Sequence, residues 1–370
     1  MKTMGDELKI LTINPGSTST KVALFQDAEE LFSANIAHEA GVLKTFPEIN
    51  DQFDYRRETI LKVLREHEID LREVDAFSGR GGGLVALEGG TYEINEKLLE
   101  HARAGFTIKH PAMLGSQLAH SFATLYGKPA FVVNPPDVDE FQLLARVTGL
   151  KNVTRESRVH ALNQKEIGLR YAQSIGKNYE NLNLIIAHIG GGVSVTAHRR
   201  GKMVDSNDVA NGDGPMAPTR CGSIPVHSIV KMCFSGEYTE KEMLDKTTKT
   251  GGLVDHLNTA DVLSIVKMIE AGDSYAELIF DGMIYQIVKA VGSMATVLKG
   301  DVDGIILTGG ISYNEHLVEE ITAAVSFIAK VTAMPGEFEM EALASGAIRV
   351  LTGVEKPLSY TGIPVWQGFE

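Results

Sequence analysis

The chain has 370 residues, with 35 Lys and Arg against 48 Asp and Glu, for a formal net charge of −13 at pH 7. That balance argues against a general nucleic-acid-binding surface and leaves room only for a local basic pocket. A length near 370 points to two domains at about 150 residues each, and 44% hydrophobic against 22% charged residues excludes a disordered chain. Glycine is abundant, at 37 residues, which asks for tight turns or close backbone approach. Cys221 and Cys233 form neither a CxxC pair nor a disulfide framework. No signal-peptide pattern and no 18-residue uncharged apolar stretch occurs. A cytoplasmic location without a membrane partner is the expectation.

In chain order, 8–14 and 20–26 are predicted strands joined by the turn Pro15-Gly16-Ser17-Thr18-Ser19, with a third strand at 31–37. An amphipathic helix is predicted over 49–67, where Phe53, Ile60, Leu61 and Leu64 share a face. A strand at 74–78 runs into Gly79-Arg80-Gly81-Gly82-Gly83, and 92–94 is β-like. Helices are predicted over 95–104 and 111–126, and a buried strand over 129–133 leads to Asn134-Pro135-Pro136-Asp137. In the second half a helix over 161–175 precedes strands at 184–189 and 193–197, joined by Gly190-Gly191-Gly192. A polar loop covers 205–225. The longest helical pattern spans 273–299, a strand at 303–308 ends in Gly309-Gly310, and helices follow at 314–330 and 339–352.

Placing Ile10–Lys21 over Ile185–Thr196 superposes Gly16 on Gly191 and Ser19 on Ser194. Both segments read as strand, glycine turn with hydroxyls, strand. One such hairpin opening each half suggests a duplicated α/β domain with a cleft between the copies.

The turn Asn14–Lys21 offers backbone N–H groups, four hydroxyls, an amide and an ammonium, a set able to wrap phosphate oxygens; an ordinary polar hairpin reads the same. It lacks the GxxxxGK[ST] spacing of a P-loop. The Gly190–Gly192 turn and Gly309-Gly310 offer the same backbone approach. Gly81–Ala86 fits GxGxxA, but no helix is predicted after it, so a dinucleotide fingerprint is rejected.

With both hairpins in hand, the sequence resembles the acetate kinase family, and within it the butyrate-phosphorylating branch. The first signature is carried by Thr12–Lys21 and the second by Ile185–Thr196 with Gly201 beyond. Ser78–Gly82 and the Asp208–Gly222 loop resemble the butyrate branch, and the likeness extends over about residues 8–352. The resemblance implies two related actin-like (ribonuclease H-like) α/β domains with a central interdomain cleft. Expected limits are 1–150 plus 345–370 for an acyl-acceptor domain and 151–344 for a nucleotide domain. It implies reversible phosphoryl transfer between Mg-ATP and a short fatty acid, giving ADP and an acyl phosphate. Acetate, propionate or isobutyrate are alternative acceptors, and a non-catalytic actin- or chaperone-like ATPase module is a remote alternative. A homo-oligomer, a dimer or a multiple of one, is also expected.

The resemblance also implies roles. Arg80 and Arg220 flank the carboxylate and the phosphoryl group, joined by His110 on the substrate side. His160 donates to the phosphoryl group, with Asp137 beside the chemistry. Asn14, Gly16, Ser17, Thr18, Ser19, Lys21, His188, Gly190, Gly191, Gly192, Asp261, Gly309 and Gly310 contact nucleotide or phosphate. Glu339, Asp137 and Asn14 serve the magnesium ion, with Glu341 the runner-up to Glu339. Asp137 equally suits an N-cap before Val138. Two positions depart from the family. Gly191 replaces an Asn of the acetate branch, and Val262-Leu263 stand where an adenine-stacking Arg is common.

Overall fold

The computed structural model describes residues 7–107 and 109–369. The chain forms two compact units, Met1–Asp139 with Phe338–Glu370, and Glu140–Glu337. The chain therefore crosses over at Asp139/Glu140 and Glu337/Phe338 instead of at 150 and 344, which brings Glu339 into the first unit.

The first unit is built on a seven-stranded mixed sheet. Its strands are β1 (Lys9–Pro15), β2 (Ser19–Gln26), β3 (Glu29–Ala37), β4 (Ala76–Gly79), β5 (Thr91–Glu93) and β6 (Ala130–Val133), with a late strand, Leu358–Ser359, paired parallel to β5. The order from that late strand is β5-β6-β4-β1-β2-β3. β1, β4 and β6 run parallel, and their apolar runs are buried almost throughout, because helices Met113–Tyr126 and Glu339–Leu351 both pack against them.

The second unit carries a five-stranded sheet. Its strands are β7 (Asn183–Ile189), β8 (Val193–Arg199), β9 (Lys202–Ser206), β10 (Gly304–Thr308) and β11 (Val331–Ala333), in the order β11-β10-β7-β8-β9. Helix Ala161–Ser174 packs on β7 and β10, and helix Ser274–Val297 packs on β7, β8 and β9. The latter is long and apolar enough to cross a membrane. Its Phe280, Met283, Ile284, Ile287 and Val291 are nevertheless spent in the core of this unit.

The two sheets share one topology. β6-β4-β1-β2-β3 and β11-β10-β7-β8-β9 have the same order and the same sequence of parallel and antiparallel pairings. The likeness of the two hairpins is thus a likeness of whole sheets.

Several expected elements are redrawn. The helix expected over 49–67 divides into a 3-10 turn, Ile49–Gln52, and helix Phe53–Glu66. The expected 205–225 loop loses Asp205 and Ser206 to β9. The helix expected over 314–330 stops at Val325, and the chain returns as β11. Four helices between Val226 and Glu270 were not anticipated. One carried a readable signal, the capping box Thr239-x-x-Glu242. No helix follows Asp137, so it is not an N-cap.

Candidate functional site

In the first unit the site grows from the C-terminal ends of β1 and β4. Arg80 N–H donates to Ile13 O at 2.8 Å, so the chain leaves β4 beside Asn14. Glu339, the first residue of helix Glu339–Leu351, meets both. Its Oε2 accepts from Asn14 Nδ2 at 2.8 Å, and its Oε1 lies 3.3 Å from Arg80 Nη1. That Nη1 is buried, and the contact is one of charge without hydrogen-bond alignment. Sequence reading left Glu339 and Glu341 open, and the structure brings Glu339 to Asn14 and Arg80. Lys21 pairs directly opposite Asn14, which puts the two side chains on one face of the sheet. Gly16 N–H donates to Ser19 O at 2.8 Å, closing the turn and leaving Ser17 and Thr18 exposed.

The glycines around Arg80 serve packing. A Cβ at Gly79 would lie 2.1 Å from Gly115 O, and one at Gly115 would lie 2.2 Å from Arg80 O. The backbone of helix Met113–Tyr126 therefore runs against Arg80's own peptide, and Gly81 gives room to Val132 and Pro135. These glycines hold the arginine's backbone in place and are not open to a ligand.

Asp137 is committed nearby in the same unit. Its Oδ1 accepts from Leu84 N–H at 3.2 Å and from Thr107 Oγ1 at 3.1 Å. His110 is exposed to solvent yet closely surrounded by protein, and its Nδ1 accepts from Ala112 N–H at 3.2 Å. Desolvation, then the charges of Arg80 and Arg56, lower its pKa below the ordinary histidine value.

Sequence reading missed Arg56. It is fully buried beneath the Pro15–Ser19 turn, where Nη1 donates to Ser19 O at 3.2 Å and to Thr20 Oγ1 at 2.9 Å. Nε and Nη2 both donate to Gln52 Oε1. Among the described residues no carboxylate pairs with it. Burial lowers its pKa, but an arginine remains charged. The only signal in the sequence was an Arg on the apolar side of a helical pattern.

In the second unit the site is the Gly190–Gly192 turn and what packs on it. A Cβ at Gly192 would lie 2.7 Å from the Arg220 guanidinium, so the arginine rests directly against the backbone of the turn. Arg220 Nε donates to Val209 O at 2.8 Å, and Thr219 Oγ1 donates to Gly191 O at 3.0 Å. Burial lowers the Arg220 pKa. Gly191 and Gly310 have open space where a side chain would stand, whereas Gly309, at φ 91°, is pressed against the backbone of Ile189. His160 and His188 stack with ring centroids 4.0 Å apart. His160 Nδ1 lies 2.9 Å from Ser194 Oγ, and Asn163 Nδ2 lies 2.8 Å from His188 Nδ1. Asp261 stands apart from this group. Its carboxylate caps helix Val262–Glu270 through Leu263 and Ser264 N–H, and the Ser264 hydrogen bond is the largest cause of its lowered pKa.

Among the described residues no group of three or more His, Cys, Asp or Glu side chains converges to cage a metal. The oxygen donors of Asn14 and Glu339 suit magnesium, which keeps several waters and takes other ligands from nucleotide phosphates.

A model of the acetokinase family matches residues 144–334. Over 352 residues the chain is 46% identical to a protein named "Probable butyrate kinase" from Clostridium botulinum (strain Eklund 17B / Type B), covering 95% of this chain and 99% of that protein. It is 45% identical over 354 residues to "Butyrate kinase 2" from Clostridium acetobutylicum, covering 96% and 99%. The crystal structure of Porphyromonas gingivalis acetate kinase matches the fold with a TM-score of 0.77 at 19% identity, over 93% of this chain and 100% of that one. Two mixed α/β sheets of common topology, two signature hairpins and near-full-length identity converge: the chain belongs to the acetokinase family.

Proposed function

We propose that the protein transfers the γ-phosphoryl group of ATP to the carboxylate of butyrate, giving butyryl phosphate and ADP, and catalyses the reverse. The observation that carries this is the 46% identity over 95% of the chain to a protein named a butyrate kinase. The acceptor is an anion already and needs no general base; the chemistry asks for cations around the transferring group. Arg220, half-buried against the glycine turn, and His160 neutralise the phosphoryl oxygens, while Arg80 and His110 receive the acid. In the turns at Gly16–Ser19, Gly190–Gly192 and Gly309-Gly310 the N–H groups of Ser17, Thr18, Gly191 and Gly310 serve the nucleotide phosphates, those of Gly16, Gly190 and Gly309 being spent on the carbonyls of Ser19, Gly192 and Gly336. Lys21 and His188 join them, and Asp261 serves the nucleoside end. Glu339 and Asn14 would hold the magnesium ion, with Asp137 nearby, and the ion supplies charge neutralisation at the phosphates. Apolar side chains left on the surface of the second unit, among them Leu143, Leu144, Val147 and Leu150, support a dimer or a multiple of one. A cytoplasmic location goes with soluble substrates.

The test is a hydroxylamine trap for acyl phosphate, with ATP and Mg²⁺ and straight or branched acids of two to six carbons. Butyrate is expected to give the highest kcat/KM. Preference for acetate, propionate or isobutyrate reassigns the acceptor, since one methylene is worth only about 1–3 kcal/mol in an apolar pocket. No product with any acid overturns the kinase reading and leaves an ATPase module.

A further inference from the structure

Behind His160 runs a chain of buried polar side chains. Tyr179 Oη lies 2.5 Å from His198 Nδ1, and His198 Nε2 lies 3.0 Å from Gln164 Oε1. Gln164 Nε2 lies 2.7 Å from Ser194 Oγ and 3.2 Å from Ser194 O, and Ser194 Oγ lies 2.9 Å from His160 Nδ1. Gln164, Ser194 and His198 are fully buried, and Tyr179 nearly so.

The direction of the bonds from Tyr179 to Ser194 follows from one atom. Ser194 O is a backbone carbonyl and can only accept, so the Gln164 atom facing it is the amide nitrogen. The amide's second N–H then points at Ser194 Oγ, and its oxygen faces His198. That oxygen requires His198 to carry its proton on Nε2, so His198 Nδ1 accepts from the Tyr179 hydroxyl. Burial, then the charge of Lys165, push the His198 pKa well below the ordinary value, consistent with a neutral ring. Ser194 Oγ, with one of its two lone pairs taken by Gln164, is placed to donate its own proton to His160 Nδ1. A ring nitrogen that accepts leaves the proton of the neutral imidazole on the other nitrogen.

We propose that Gln164 and Ser194 are positioning residues that hold His160 in the tautomer with its proton on Nε2. The proton thus sits on Nε2, the nitrogen that would donate to a phosphoryl oxygen. The kinetic arm of the test rests on the proposed role of His160; the spectroscopic arm does not. On the other face of His160 stacks His188, with Asn163 Nδ2 2.8 Å from its Nδ1.

The experiment is ¹⁵N-histidine NMR of the whole protein at pH 8 without substrate, with the His160 signals assigned by their loss in His160→Asn. A pyridine-type Nδ1 and a protonated Nε2 are expected. A protonated Nδ1, in a neutral or charged ring, overturns the proposal, and this reading is available from a chain that phosphorylates no acid. In Gln164→Met the Ser194 hydroxyl is free to turn and accept. A new population with its proton on Nδ1 is expected, with kcat down roughly tenfold and KM for ATP and acid within about twofold. A folded Gln164→Met protein with wild-type tautomer and kcat overturns the relay. If that variant fails to fold, the wild-type spectrum decides.

Discussion

The Arg80 guanidinium stands 3.3 Å from the Glu339 carboxylate, with Asn14 donating to the same carboxylate at 2.8 Å. The arginine is 12% exposed and the glutamate 28%, so the pair is only partly screened by water. One carboxylate thus aims two side chains that leave adjacent strand ends. Glu339→Gln is expected to lower turnover roughly 10²-fold, about 2.7 kcal/mol, and to raise the magnesium needed for half-maximal rate. Glu341→Gln is expected to change either quantity by no more than about twofold. A magnesium titration of acyl phosphate formation separates them, and equal effects would end the assignment of Glu339.

Arg220 lies against the turn it serves, and this gives two ways to disturb it. Arg220→Ala is expected to cost roughly 10³-fold or more in turnover, about 4 kcal/mol. Gly192→Ala leaves the arginine present but places a methyl 2.7 Å from the guanidinium. Because Gly192 has no left-handed backbone angle, the fold is expected to survive while turnover falls at least about tenfold. Steady-state rates together with a thermal melt check both. Near-normal turnover in Arg220→Ala would remove it from the chemistry.

Arg56 supports the Pro15–Ser19 turn from below, donating to Ser19 O, Thr20 Oγ1 and Gln52 Oε1. Arg56→Met matches much of its length but strands these buried acceptors. A loss of about 2–4 kcal/mol is expected in urea denaturation. In the folded fraction the KM for ATP is expected to rise, because a buried positive charge beneath the turn disappears. An unchanged KM would make Arg56 purely structural.

His38 predicts a pH dependence. Its Nε2 faces Thr20 Oγ1 at 2.8 Å, and burial, then the charge of Arg56, lower its pKa to about 4. Unfolding restores a value near 6.5, so between about pH 6.5 and 4 the unfolded chain binds the extra proton. Stability therefore falls as pH drops through that window and is kept above it. His198 and His110, also shifted down, act in the same direction. Melting temperatures between pH 7.5 and 4.5 are expected to fall less steeply in His38→Gln than in the wild type; parallel curves would contradict the assignment.

Most of the strands and long helices were legible because their periodicity is local. β1, β2 and β7, the glycine turns, and helices Ala161–Ser174 and Ser274–Val297 fall within a residue or two of their expected places. The run from Val226 to Glu270 was not legible, since its short helices carry few buried residues and so little periodicity. Arg56 and Gln164 escaped for a different reason. Each lies within an otherwise ordinary helical pattern, and its importance comes from partners distant in sequence.

The sequence by itself determined that two glycine-bearing hairpins open two related α/β halves, and which arginines and histidines accompany them, because turns and strands are written in residues next to one another. The tertiary structure decided that Glu339 and not Glu341 meets Arg80 and Asn14, and that the glycines around Arg80 serve helix packing. It also decided that Arg220 lies against Gly192 and that Ser194 faces Nδ1 of His160. These depend on distances between residues far apart along the chain, and only the packing of sheets and helices sets those distances.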